Sequence, residues 1–226
     1  ALPLLFTADE AAWVAPLQDH HAHLAGAMEW AFTEGSAAQL ELGLRLAGAL
    51  ADFWYVSGQL SDGRAWLTQA VARAAGRASS VGKARSLVGL CLFEQILAAP
   101  ALALEHGQEA LAVGRRVDDW PTIGRASLLL GNLAMMRGEI DAARSWHQQA
   151  LAIFERLDDT PSIAVSLVDL GMDDFRQGDC TAALARVDAA IGVAESIGDV
   201  WDSIVAMRLK ADVLRTQGAI EPAAAL

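Results

Sequence analysis

The sequence predicts an all-α solenoid of about five antiparallel helix pairs on a 40-residue period. Three observations predict it: recurring glycines, further phases that keep the same spacing, and a helix-favouring composition. The segments Arg137-Gly138-Glu139-Ile140-Asp141-Ala142-Ala143, Gln177-Gly178-Asp179-Cys180-Thr181-Ala182-Ala183 and Gln217-Gly218-Ala219-Ile220-Glu221-Pro222-Ala223 repeat one pattern at a constant spacing, with Gly138, Gly178 and Gly218 in register. Two periods before Gly138 lies Gly58, and midway between them lies Ala98, just before Pro100. Ala70, Ala110, Ala150 and Ala190 share a second phase, and Asp119, Asp159 and Asp199 a third. Agreement of independent phases is the signature of a repeat architecture. Apolar residues make up 54% of the chain, with Ala and Leu dominant. Those two lose little entropy in a helix, whereas β-branched residues lose more.

Each period holds two helices. The glycine lies between them, where a helix end needs positive φ without steric cost. Ser61, Asp141 and Thr181 are capping types for the second helix, and Pro100 and Pro222 suit a first turn. The next first helix opens near Pro121 or Pro161. First helices are expected at 41–57, 83–98, 121–137, 161–177 and 201–217. Second helices are expected at 61–76, 100–116, 141–157 and 181–197, with one more begun at 221. Residues 1–40 form an N-terminal helical segment capping the solenoid, and 41–226 the repeats, the last truncated at Leu226. A helix pair cannot bury its apolar face alone, so successive pairs stack. Gly131, Gly171, Ala143, Ala150, Ala183 and Ala190 let the axes approach, while Leu130, Leu133, Leu151, Leu167, Leu170 and Trp54 fill the space.

Charge narrows the partners. Seventeen Lys and Arg against 28 Asp and Glu give a formal charge of −11, a field that repels phosphate backbones and anionic lipid. No direct nucleic-acid or membrane contact is expected, since no apolar run approaches the ~20 residues of a span. The start, Ala1-Leu2-Pro3-Leu4-Leu5-Phe6, lacks the basic flank of a signal peptide. Cys91 and Cys180 are read as reduced, buried hydrophobes, and the chain as cytoplasmic.

No catalytic spacing emerges, and no cofactor is expected. Gly76-Arg77-Ala78-Ser79-Ser80-Val81-Gly82-Lys83-Ala84 resembles a phosphate-binding loop, but it is one residue too long, lacks the hydroxyl after the lysine and follows no strand. Asp19-His20-His21-Ala22-His23 puts two histidines on one helix face, whereas zinc needs three or four converging ligands. His106 and His147 stand alone, and the acid pairs Asp158-Asp159 and Asp173-Asp174 are read as helix-end or exposed charges. Trp66 and Trp146, two periods apart, are expected to pack against the following repeat.

The phases Leu130-Gly131, Ala134, Gly138, Ile140, Ala143 and Ala150, echoed by Leu170-Gly171, Gly178, Ala183 and Ala190, resemble the tetratricopeptide repeat. The period is longer than that family's usual length of about 34 residues. Cys91 and Pro100 also depart from its pattern. The resemblance implies a right-handed superhelix whose first helices line a concave groove. A narrower resemblance rests on Trp13, His21, His23-Leu24, Met28-Glu29-Trp30-Ala31, Leu44-Arg45-Leu46-Ala47-Gly48-Ala49-Leu50, Phe53-Trp54 and Gly63-Arg64-Ala65-Trp66-Leu67. These look like the region C-terminal to the ATPase module in bacterial signal-transduction ATPases, the maltose-activator-like and antibiotic-regulator-like transcription factors of LuxR type. That implies a non-catalytic sensor arm which binds a protein, peptide or small-molecule effector and signals through the parent chain's ATPase module and DNA-binding domain. A passive protein-interaction scaffold and an accessory domain of a multidomain signalling enzyme are the alternatives.

The register then assembles one candidate site. Arg45, Arg85 and Arg125 share a phase of three successive first helices. Arg offers a planar fork suited to carboxylate or phosphate. Other groove phases carry Asp52, Tyr55, Gln95, Asn132, Met135, Met136, Met172, Phe175, Arg176, Arg208, Asp212 and Arg215. Asn132 matches the asparagine phase of the family's carboxylate-clamp members, but Leu128 stands where a clamp lysine is expected. The competing reading is that the arginines pair with acids such as Asp52 and Asp212 on a solvated surface.

Overall fold

The computed structural model describes residues 10–33 and 35–218. Among these residues the protein is all-α, with eleven helices and no β-strand. Helices α1 (Glu10–Asp19) and α2 (His21–Thr33) precede the repeats. First helices are α3 (Ala37–Val56), α5 (Val81–Ile96), α7 (Trp120–Met136), α9 (Thr160–Arg176) and α11 (Val200–Thr216). Second helices are α4 (Leu60–Ala74), α6 (Pro100–Arg116), α8 (Ile140–Arg156) and α10 (Cys180–Ser196). The chain clusters into two compact units, one spanning Ala11–Leu133 and one from Ala134 onward.

The turns follow the period. Gly58, Gly138, Gly178 and Gly218 all have positive φ, and so does Ala98 at +57°. Behind each of the first four turns, one amide reaches back to close the helix: Gln59 to Trp54, Ala99 to Glu94, Glu139 to Ala134 and Asp179 to Asp174, at 2.8–2.9 Å. This is the closure that satisfies carbonyls orphaned at a helix C-terminus. The turn between repeats does the same, with Asp118, Asp158 and Gly198 in the left-handed region. Asp119, Asp159 and Asp199 there close on Gly114, Phe154 and Ala194 at 2.9–3.1 Å.

Helix starts lie slightly earlier than the sequence predicts. The caps are not Ser61, Asp141 and Thr181 but Gln59, Glu139 and Asp179, of which Asp179 alone accepts a capping bond, from Ala182 N–H. The first helix of the first repeat begins at Ala37 rather than 41, because Ser36 and Gln39 form a reciprocal capping box. The Gly-rich stretch before α5 is a helix entry: Ser80 Oγ accepts the Lys83 N–H, and Lys83 pairs with Glu109 at 2.6 Å.

Within the first unit the core runs from Met28 and Phe32 on α2 through Leu44, Leu50, Phe53 and Trp54 on α3 to Leu67, Leu90 and Phe93. Trp66 packs against Phe32 of α2, ring centroids 6.2 Å apart, and borders the core cluster that also takes in Leu90 and Phe93 of α5. The first helices α3 and α5 press close: a Cβ on Gly48 would stand 2.7 Å from Arg85 Cβ, and one on Gly82 2.6 Å from Leu44 Cβ. In the second unit Val168, Ala183, Val187, Ala190, Ala206, Leu209 and Val213 form a core between α9, α10 and α11. Ala143, Ala150, Ala183 and Ala190 are all fully buried, as the small-residue phases require.

Ala98 is the strained member of its phase. An L-residue with a Cβ costs about 1–2 kcal/mol in this conformation, while glycine adopts it freely at some cost in unfolded-chain entropy. Ala98→Gly is therefore expected to stabilise the protein by about 0.5–1 kcal/mol, read as a higher urea midpoint at unchanged slope. An unchanged or lower midpoint contradicts the turn assignment.

Candidate functional site

Three successive first helices present the arginine row, and each arginine meets a carboxylate. Arg45 donates through Nε to Glu41 at 2.8 Å, one turn back on α3. Glu41 also accepts the Gly82 N–H at 3.1 Å and so caps α5. Burial works to raise the Glu41 carboxyl, but hydrogen bonds from Ser80, Arg45 and Gly82 outweigh it and hold the group below its ordinary value. Arg85 grips Asp119 with Nε and Nη2, at 3.3 and 3.1 Å. Thr122 donates to the same carboxylate. Burial again works upward there, and Arg85 and Thr122 hold the Asp119 acid below its usual range.

Arg125 differs in reach. Its Nη1 and Nη2 donate to Asp52 Oδ2 and Oδ1 at 3.0 and 2.7 Å. Asp52 lies near the end of α3 and Arg125 near the start of α7, two repeats on. The pair is a strut from the first repeat to the third. Its environment also differs: the Asp52 side chain is 6% exposed and that of Arg125 25%, whereas Arg85 is 45% and Arg45 54% exposed. Arg125 is committed to holding a buried acid. Among the described residues the terminal nitrogens of Arg45 and Nη1 of Arg85 carry no protein hydrogen bond. Those are the open edges of the row.

The remaining candidates divide between the units. In the first, Tyr55 is half-buried against the core, and Gln95 donates to the Leu129 carbonyl at 3.0 Å, tying α5 to α7. Asn132 is half-buried on α7. In the second, Met136 is exposed, Met172 and Phe175 pack partly buried on the α9–α11 core, and Arg176 is exposed. Asp212 pairs with Arg215 of its own helix at 2.5 Å, not with the row.

Residues 82–156 match the tetratricopeptide-repeat family. The fold is that of a tetratricopeptide-type helical solenoid. BtubC from P. vanneervenii superposes with a TM-score of 0.73 at 16% identity, over 92% of this chain and 87% of that one. A Rap protein complexed with competence and sporulation factor superposes with 0.73 at 12% identity, over 96% of this chain and 58% of its own. NprR in complex with its cognate peptide NprX superposes with 0.70 at 16% identity, over 95% and 60%. No curated protein sequence matches the chain. Among the described residues no helix is long and apolar enough to cross a membrane.

The repeats also carry buried acids that spacing alone does not reveal. Asp173 and Asp174 are fully buried, not exposed or helix-end charges. His147 is not solitary: it is fully buried, with Nδ1 2.7 Å from Asp173 Oδ2. Asp173 stands at the phase of Phe53, Phe93, Leu133 and Val213, so a polar pair replaces an apolar contact there. Asp174 takes Arg144 at 3.0 Å and Arg186 at 2.6 Å. The Arg64–Glu94 pair at 2.8 Å is the same contact two periods earlier. The sequence signal for it is the recurrence of Arg64 at Arg144 and of Glu94 as Asp174, both at a double period. Among the described residues no three His, Cys, Asp or Glu side chains come together to hold a metal. His20 and His23 lie 6.0 Å apart by ring centroids. Both cysteines are free thiols, and burial pushes that of Cys91 up to about 12.

A third set of acids sits where α9 meets α11. Thr122 and Ser162 donate hydroxyls to Asp119 and Asp159 at the starts of α7 and α9. At the start of α11 the hydroxyl position is Asp202, facing Asp199. Burial, then the neighbouring Asp199 and Asp169, raise the Asp202 carboxyl to about 7. Burial raises Asp169 to about 6, helped by Asp173 and opposed by His147.

These pairs make opposite demands on stability. Arg125→Ala strands a buried carboxylate and is expected to cost about 3 kcal/mol. Arg45→Ala breaks an exposed pair and costs about 0.5 kcal/mol or less; equal urea midpoints for the two variants contradict the strut. Asp169 and Asp202 bind protons more tightly when folded than unfolded, so their stabilisation is present below about pH 4 and is lost as pH rises to about 7. The thermal midpoint of the α9–α11 region is expected to fall between about pH 4 and 7. Asp202→Ser, restoring the hydroxyl found at Ser162, is expected to shrink that fall. A fall as large in Asp202→Ser as in the parent chain removes the assignment.

Proposed function

We propose that this chain is a non-catalytic binding module, the sensor arm of a larger bacterial transcriptional regulator. It takes a peptide, protein or small-molecule effector on the groove face of its first helices. The effector's presence is passed to an ATPase module and a DNA-binding domain elsewhere in the parent protein. The observation that carries the reading is the pair of open guanidinium edges, on Arg45 and Arg85, at one phase of two neighbouring first helices. A half-exposed Arg already oriented by a carboxylate presents donors in a fixed plane, which suits a carboxylate or phosphate group on a ligand. Arg125 lies beside them as part of the supporting structure.

The neighbours support a binding role. The Rap protein is complexed with competence and sporulation factor and NprR with its cognate peptide NprX, on folds that this chain matches over nearly its whole length. Catalysis has no comparable support. The buried His147–Asp173 pair lies among core residues.

The test uses peptides selected from a random library on the 226-residue chain. Arg45→Glu and Arg85→Glu are each expected to weaken the selected peptides at least tenfold, about 1.4 kcal/mol or more. Arg116→Glu, at the exposed end of the second helix α6, is expected to leave affinity within twofold. Unchanged affinity in both row variants overturns the groove assignment.

A further inference from the structure

We propose that the turn between α4 and α5, with the neighbouring end of α6, is a docking edge for an acidic peptide segment of a partner, separate from the groove. The starting observation is a local reversal of charge. The chain carries −11 overall, yet between Asp62 and Glu94 it has five cations and no acid. Three of the five are taken: Arg64 pairs with Glu94, Lys83 with Glu109 and Arg85 with Asp119. Arg73, in the last turn of α4, and Arg77, just beyond it, are exposed, and among the described residues neither meets a carboxylate. Arg77 Nε donates to the Arg73 carbonyl at 3.1 Å, which pins its planar head at the helix end and leaves both Nη groups open.

The repeat does not ask for arginine at either place. The Arg73 phase recurs as Val113, Ile153 and Val193, and the Arg77 phase as Val117, Leu157 and Ile197. The turn differs in the same sense. Later turns between repeats carry Asp118 and Asp119, Asp158 and Asp159, or Asp199, where this one has Ala78 and Ser79. Second helices of a stacked repeat run parallel, so α6, which packs on α5 as α4 does, ends on the same edge with exposed Arg115 and Arg116. Arg116 recurs as Arg156 and is an ordinary cation at the negative end of a helix. Arg115 recurs as Glu155 and Glu195, so the helix end does not require its sign. Asp118 is the exposed acid at this edge, and it pairs with none of these arginines. Unpaired guanidiniums on one edge repel one another, and carboxylates on a partner relieve that repulsion while accepting paired donors. The occupant is an acidic peptide rather than a nucleic acid, because a long phosphate chain would run on into the field of the acidic remainder. A short peptide engages the edge alone.

The experiment is fluorescence anisotropy of a labelled octaglutamate peptide titrated with the whole chain at low salt. Saturable binding is expected, weakening steeply as salt is raised. Arg73→Glu combined with Arg77→Glu is expected to weaken it by about tenfold or more, and Arg115→Glu by about threefold or more, with unchanged helical circular dichroism. Absence of binding overturns the proposal. So does binding that survives the double reversal, or that is lost in Arg85→Glu instead, since the carboxylates would then sit in the groove. An oligothymidylate of equal charge that binds the edge more tightly than the peptide overturns it as well, because the partner would then be a nucleic acid.

Discussion

The architecture depends on a left-handed residue at the end of each first helix. That residue turns the chain back on itself, and the amide after it closes the preceding helix. Because the turn recurs at a constant spacing, helices from α6 to α11 all have the same length, 17 residues. Equal lengths keep the phases aligned from copy to copy, so one position in the period has one role throughout. Burial at the Ala143, Ala150, Ala183 and Ala190 phases follows from that alignment. The arginine row follows from it too, since Arg45, Arg85 and Arg125 are separated by whole periods.

Alignment sets where a side chain points but leaves its work open. Arg45, Arg85 and Arg125 share a direction and have different jobs, decided by the acid each meets. Glu41 is on the same helix, so Arg45 is held loosely at the surface. Asp119 belongs to the turn before α7, and Arg85 grips it with two nitrogens, leaving one free. Asp52 is buried two repeats back, and Arg125 is drawn across to neutralise it. Leaving a buried carboxylate unpaired costs several kcal/mol, far more than a surface pair is worth. The graded exposure of the row thus sorts it into a structural member and two that face solvent with donors to spare.

Much of this was legible in the sequence. The period, the helix pairs, the turn glycines and the shared arginine phase can all be read from spacing, because each is a consequence of register. Asp52 was recognisable as a partner for the row for the same reason. What spacing did not disclose were contacts that depend on depth. Asp173 and Asp174 look like an exposed acid pair because both are charged, yet each occupies a phase that the repeat buries. Their partners, His147, Arg144 and Arg186, lie on other helices. Comparing Arg64 with Arg144 and Glu94 with Asp174 at a double period would have exposed one of these pairs. The early start of α3 was missed because its capping box, Ser36 and Gln39, belongs to the first copy alone. Ala98 shows the converse: the residue type departs from the phase, but the backbone keeps to it.

The claim that the left-handed turn sets the register is tested most directly by hydrogen exchange at single-residue resolution. The amides of Gln59, Ala99, Glu139 and Asp179 are each bonded back across a turn. All four are expected to exchange as slowly as amides in the last turn of the helix they close, with Ala99 the fastest because Ala98 is strained. Exchange at the rate of open loop amides at these positions would contradict the account, since the helices would then be ended by something other than these turns.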